Sequence, residues 1–196
     1  MDAFTQLLEA YVSTEANVLT DAWAWEGLKA VNRSLEKVVH SGENLYARTD
    51  MAFAALVSGI VLANAGLGLV HGFASSIGGL IDMPHGKICG TLMAKKKKKT
   101  IKALQAKDPK SSAFNKYVKV GMLFAGETFQ EQSDNYYLDQ LIRRLYDMTK
   151  SFGLERFGRY GLTRDKAAEI AEKTGNKNNP VNFSTDERNN ILLSRL

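Results

Sequence analysis

A single cysteine, Cys89, stands among 196 residues, which excludes an intrachain disulfide and suits a reducing compartment. Such a free cysteine is read as a small packed residue and not as a nucleophile. No basic segment precedes an apolar one at the N-terminus, where Asp2 and Glu9 fall instead, so no signal peptide is read and the protein is expected to be cytoplasmic. No stretch sustains the apolar/polar alternation of a strand, no internal repeat recurs, and no glycine-rich phosphate loop follows a strand. Charge is also missing locally: Met51 to Ile81 is 31 residues without Asp, Glu, Lys or Arg.

That run invites a membrane reading, but Asn64, Gly66, Gly68, His71 and Gly72 interrupt it before about 18 consecutive apolar residues accumulate. Two core helices joined at a glycine break fit it better, over Ala47–Ala63 and Leu69–Leu80, with Gly66 and Gly68 supplying backbone freedom. The length suffices for one domain with a substantial core. The net charge of +5 equals the contribution of Lys95 to Lys99 alone, so the basicity is local. The lysine run lacks interleaved aromatics and any nucleic-acid module, and is read as a solvated helical surface, with no nucleic-acid or membrane partner.

Helical spacing begins at once. Phe4, Leu7, Leu8, Tyr11 and Val12 form one stripe. A chain that opens inside a helix looks cut. A second helix is predicted over Asn17–Val39, with Leu28, Val31, Leu35 and Val38 inward and Trp23 and Trp25 as core or interface aromatics. Pro84 then starts a helix that carries the lysine run to Asp108-Pro109 and places His85 in its first turn. Further helices are predicted at Ala113–Ala125, at Asn135–Phe152 with Gly153 at its end, and at Thr163–Lys173; Ser184 and Glu187 cap a last one. The fold class is all-α, a multi-helix bundle in one domain over 1–196.

Imidazole is costly to bury without a partner, and His71 and His85, fourteen residues apart, lie within or beside the most apolar stretch. With Asp2 they make one carboxylate and two imidazoles near helix ends or breaks, a donor set that suits Fe²⁺ or Zn²⁺. His40, beside Ser41-Gly42, reads as a surface residue.

Asn64-Ala65-Gly66-Leu67-Gly68-Leu69-Val70-His71-Gly72, followed by Gly78-Gly79 and Pro84-His85-Gly86, resembles the long signature of the iron-containing (group III) alcohol dehydrogenases, including the gap between its histidines. Met1 to Tyr11 resembles the helix that carries that family's first ligands, and Asn179-Pro180 before a capped helix resembles its end. The resemblance covers the whole chain and implies the family's C-terminal helical domain, in the dehydroquinate synthase-like fold. It implies metal ligands at Asp2, His71 and His85, with Gln6 where the family usually has a third histidine, as a weaker ligand or an outer partner. The resemblance also implies a cofactor-binding position near the nicotinamide for Ser75, where many members carry another histidine. No catalytic residue is assigned.

The implied enzyme oxidises alcohols or reduces aldehydes and ketones by hydride exchange with NAD(P), the metal (Fe²⁺ or Zn²⁺) polarising the substrate oxygen. Its Rossmann-like N-terminal nucleotide-binding domain is not in this sequence, so this polypeptide alone is expected to be inactive. A non-catalytic helical association module is the alternative, and uncovered domain faces are expected to promote self-association into a homo-oligomer.

Overall fold

A computed structural model describes all 196 residues. Nine α-helices and one 3-10 turn at Phe157–Tyr160 make up the chain, with no strand. The helices are α1 (Asp2–Tyr11), α2 (Val18–His40), α3 (Leu45–Ala65), α4 (Leu69–Gly78), α5 (His85–Lys107), α6 (Ser112–Ala125), α7 (Asp134–Ser151), α8 (Arg164–Lys173) and α9 (Thr185–Leu193).

Local chemistry sets most boundaries. Asn17 and Thr20 form a capping box at the start of α2, as Ser184 and Glu187 do at α9. Ser111, Ser133 and Thr163 each accept a backbone N–H at the starts of α6, α7 and α8. Pro84 precedes α5 directly, so His85 is its first residue. Gly66 ends α3 at φ +64°, a conformation in which an L side chain would be strained.

Two apolar clusters share the interior. The larger joins the stripe of α1 (Phe4, Leu7, Leu8, Tyr11) to α2, α3, α6, α7 and the second half of α5. Burying each such large side chain contributes roughly 1.5–3 kcal/mol. Gly121 of α6 abuts the backbone of Tyr137 in α7, leaving no room for a Cβ. The smaller cluster joins α4 and the first half of α5 to the 3-10 turn, α8 and α9. Both clusters meet along α5, and the polar side chains of α1 lie at the junction.

Two expectations need correction. The charge-free helices are unequal: α4 buries Leu69, Val70, Phe73, Ala74 and Ile77, whereas α3 buries only the face carrying Ala47, Ala54, Val57, Ser58, Val61 and Ala65. Its outer face leaves Leu45, Phe53 and Leu56 at 77%, 43% and 66% exposure, because no element covers that side. By length and composition α3 could cross a membrane. Here it packs one face against α1 and α2. The lysine run is not a solvated surface either. Lys96 and Lys97 are fully buried, while Lys95 and Lys98 lie over the Tyr146 ring. Trp25 packs against Tyr11, Trp23 is half-exposed, and His40 is exposed as expected.

Candidate metal centre

Three elements converge at the junction of the clusters. Asp2 is the first residue of α1, His71 lies in the first turn of α4, and His85 opens α5. His71 Nε2 is 3.3 Å from Asp2 Oδ1, and His85 Nε2 is 3.6 Å from the same oxygen. The imidazole centroids are 5.6 Å apart. His71 is buried, whereas the side chains of Asp2 and His85 keep 38% and 48% exposure, so the cluster opens to solvent on one side. The structure thus brings together the three residues singled out from the sequence.

Cys89 joins them. Its Sγ lies 3.7 Å from His71 Nε2, and one donor atom from each of Asp2, His71, His85 and Cys89 falls within 4.8 Å of the others. Cys89 is one helical turn beyond His85, so both face the same way from α5. The reading of Cys89 as a packed residue holds for its burial, but that reading overlooked its neighbours. The spacing His85-x-x-x-Cys89 was the signal.

Gln6 does not point its oxygen at this cluster. Its Oε1 accepts from Ser58 Oγ at 2.7 Å, and its Nε2 donates to Asp2 Oδ2 at 3.3 Å. Gln6 therefore orients the carboxylate of Asp2 from behind. Ser75 is exposed, and its hydroxyl donates to the His71 carbonyl at 2.9 Å within α4.

Glu9, fully buried, is the residue whose role the sequence did not announce. Its carboxylate accepts the backbone N–H groups of Gly68, Val70 and His71 at 3.0–3.2 Å, satisfying the exposed donors at the start of α4 in favourable alignment with the helix dipole. Gly68 permits that approach, since a Cβ there would lie 2.8 Å from Glu9 Oε1. Glu9 Oε2 also meets His71 Nδ1 at 3.0 Å, which leaves Nε2 turned toward Asp2 and Cys89. Carboxylates commonly fix a ligand imidazole in this way.

Two ammonium groups complete the buried knot. Lys96 and Lys97 approach Glu9 Oε1 at 3.3 and 3.4 Å, and Lys96 also donates to Asn179 Oδ1. The polar loop that carries Asn179 is stitched to the α3–α4 break, with Asn178 N–H donating to Leu67 O and Asn178 Nδ2 to Ala65 O.

These contacts decide the charges. Burial works against ionised Glu9, yet Lys97 and Lys96 hold its carboxyl well below the usual range. Burial lowers Lys97 to about 7, with the neighbouring Lys96 charge acting in the same direction. The hydrogen bond from His71 lowers Asp2, and burial raises the Cys89 thiol. Hydrogen bonds to Asp2 and Glu9 raise His71 against the opposing effect of burial.

An all-helical domain in which carboxylate, imidazole and thiol donors converge beside a buried carboxylate–histidine pair belongs to the class of helical domains able to hold a divalent cation. The profile of the Fe-containing alcohol dehydrogenase family, C-terminal part, matches residues 1–196, and the chain belongs to that family. It is 49% identical over 86 residues to 1,3-propanediol dehydrogenase of Klebsiella pneumoniae, covering 44% of this chain and 22% of that one. It is 40% identical over 113 residues to alcohol dehydrogenase 4 of Schizosaccharomyces pombe, covering 58% and 26%. The fold superposes on a solved 1,3-propanediol oxidoreductase with a TM-score of 0.87 and 31% identity, over 100% of this chain and 50% of that one. The chain thus spans about half the length of that solved relative.

Proposed function

We propose that this chain is the metal-binding half of an NAD(P)-dependent alcohol dehydrogenase, with Asp2, His71 and His85 holding a divalent cation. The observation that carries the reading is the convergence of those three side chains from separate helices onto one half-open point. Their chemistry fits the group: a carboxylate and two imidazoles suit Fe²⁺ or Zn²⁺ better than Mg²⁺ or Ca²⁺. When bound, the cation would polarise an alcohol or carbonyl oxygen.

The chain's own residues supply position. Glu9 takes the Nδ1 proton of His71 as a hydrogen bond and turns Nε2 outward. Gln6, itself held by Ser58, fixes the second oxygen of Asp2. The nicotinamide cofactor would come from a Rossmann-like N-terminal domain, with Ser75 on the exposed side of α4 facing it. In this reading the reaction is hydride transfer between an alcohol and NAD(P), in the cytoplasm, and the isolated 196-residue chain does not turn over. A non-catalytic association module is the weaker reading, because association alone needs no convergent donors. The lysine run lends no support to nucleic-acid binding, since none of its five side chains is fully exposed.

Metal analysis after reconstitution tests the proposal. It expects about one equivalent of Fe²⁺ or Zn²⁺ per chain, strongly weakened by His71→Ala or His85→Ala. No binding of either ion would overturn it. Aldehyde-dependent NADH oxidation on adding an N-terminal nucleotide-binding half from a relative would separate the enzyme from the association module.

A further inference from the structure

Resting on the metal reading above, we propose that Cys89 is a fourth protein donor, so that the centre is an Asp2/His71/His85/Cys89 set favouring Zn²⁺ and similar borderline ions over hard cations.

Geometry supports the fourth donor. Ligands held about 2.0–2.3 Å from Zn²⁺ and disposed tetrahedrally lie roughly 3.3–3.6 Å from one another. The Asp2–His71, Asp2–His85 and Cys89–His71 separations are 3.3, 3.6 and 3.7 Å. Small side-chain movements therefore close the set around a cation, with no change in the helices. The hydrogen-bonding partners of the sulfur, His71 and Asp2, both belong to the cluster. Gly90 and the first turn of α1 keep the backbones close here, since a Cβ at Gly90 would lie 3.2 Å from Met1 Cβ and one at Gly86 3.5 Å from Asp2 Cβ.

Gln6 is the competing donor, and its oxygen is already occupied by the Ser58 hydroxyl. Binding through Gln6 would break that hydrogen bond and the one its amide makes to Asp2. Binding through Cys89 breaks the S–H bond as the sulfur–metal bond forms, replaces only contacts within the cluster itself, and releases the proton to solvent without redox change. A thiolate is the softest donor of the group, and its presence shifts preference toward Zn²⁺.

Co²⁺ added to the purified chain is the probe, because a thiolate on Co²⁺ gives a near-ultraviolet charge-transfer band that oxygen and imidazole donors do not. The proposal expects that band in the wild type, in addition to visible bands of a four-coordinate ion. Cys89→Ser should keep the visible bands, lose the near-ultraviolet band and weaken Zn²⁺ by more than about tenfold, while Mn²⁺ binding changes little. Gln6→Ala should keep the near-ultraviolet band. Visible bands without the charge-transfer band in the wild type would overturn the role of Cys89 and leave the three-residue centre standing. An unchanged spectrum in Cys89→Ser would do the same. Absence of any Co²⁺ spectrum, with no Zn²⁺ bound, would remove both readings together.

Discussion

Asp2 and Glu9 lie seven residues apart on one short helix and touch opposite nitrogens of one imidazole, yet their surroundings differ completely. Asp2 is partly exposed: Gln6 donates to one of its oxygens, and the other faces His71 and His85, with Cys89 beside them. Glu9 is sealed from solvent, and its partners are three backbone N–H groups and two ammonium groups. The first arrangement leaves lone pairs pointing at a common space. The second leaves none. A cluster of acceptors without cations is poised for a ligand, whereas a carboxylate already surrounded by donors is a joint between helices. His71 links the two, so the rigidity of the sealed knot is transmitted to the open one.

The sharpest way to break this contrast is to remove Glu9. Glu9→Ala strands Lys96 and Lys97 in the interior and frees three N–H groups of α4, and should destabilise the fold by about 3–5 kcal/mol in urea unfolding. A loss no larger than that of an ordinary surface change would mean that the knot is not structural.

Lys97 offers a smaller and pH-dependent test. Its folded value lies near 7, below the usual 10.5, so the unfolded chain binds more protons between these values and stability rises with pH there. Below about 7 the penalty is fully present. Between pH 7 and 9 the Met1 amine and Lys96, both lowered by burial, add slopes of the same sign, so the contribution of Lys97 is read from the difference between wild type and variant. The contribution is at most about 1.4 kcal/mol per pH unit. Lys97→Met keeps the stem, leaves Lys96 to balance Glu9, and should flatten that slope. Equal slopes in wild type and variant would show that Lys97 titrates normally.

The legible parts of the molecule are those governed by local chemistry. Helix caps at Asn17, Ser184 and Pro84 and the glycine break at Gly66 and Gly68 announce the helices to within a few residues. His71 and His85 stand out because imidazole is rare in such apolar surroundings. Glu9 and the lysines did not stand out, since a charge run ordinarily faces water. The pattern was nevertheless present: Leu92-Met93, Lys96-Lys97 and Thr100-Ile101 recur every four residues along α5, which puts those two lysines on the buried stripe. Glu9, two turns from Asp2, shares its face. What spacing could not reveal is that the two stripes meet, because that depends on the packing of α1 against α5. The open side of α3 is illegible for a related reason: an apolar helix reads the same whether one face or all of it is covered.

Gln6→Ala should act on the open cluster alone. Without its amide, Asp2 loses the donor that orients its second oxygen, and metal affinity should fall by about tenfold. His85→Ala carries the contrast to its limit. His85 is half-exposed at the first position of α5, and its nearest charged partner, Asp2, is itself solvated. Removing the ring opens no cavity and strands no buried group, so unfolding free energy without metal should stay within about 0.5 kcal/mol of wild type. With Zn²⁺ present the wild type should gain stability in proportion to occupancy while the variant gains little, because only a ligand that binds the folded state raises its stability. The two unfolding curves should therefore coincide in chelator and separate in Zn²⁺. Curves already apart in chelator would place His85 among the structural groups and erase the division between the two ends of α1.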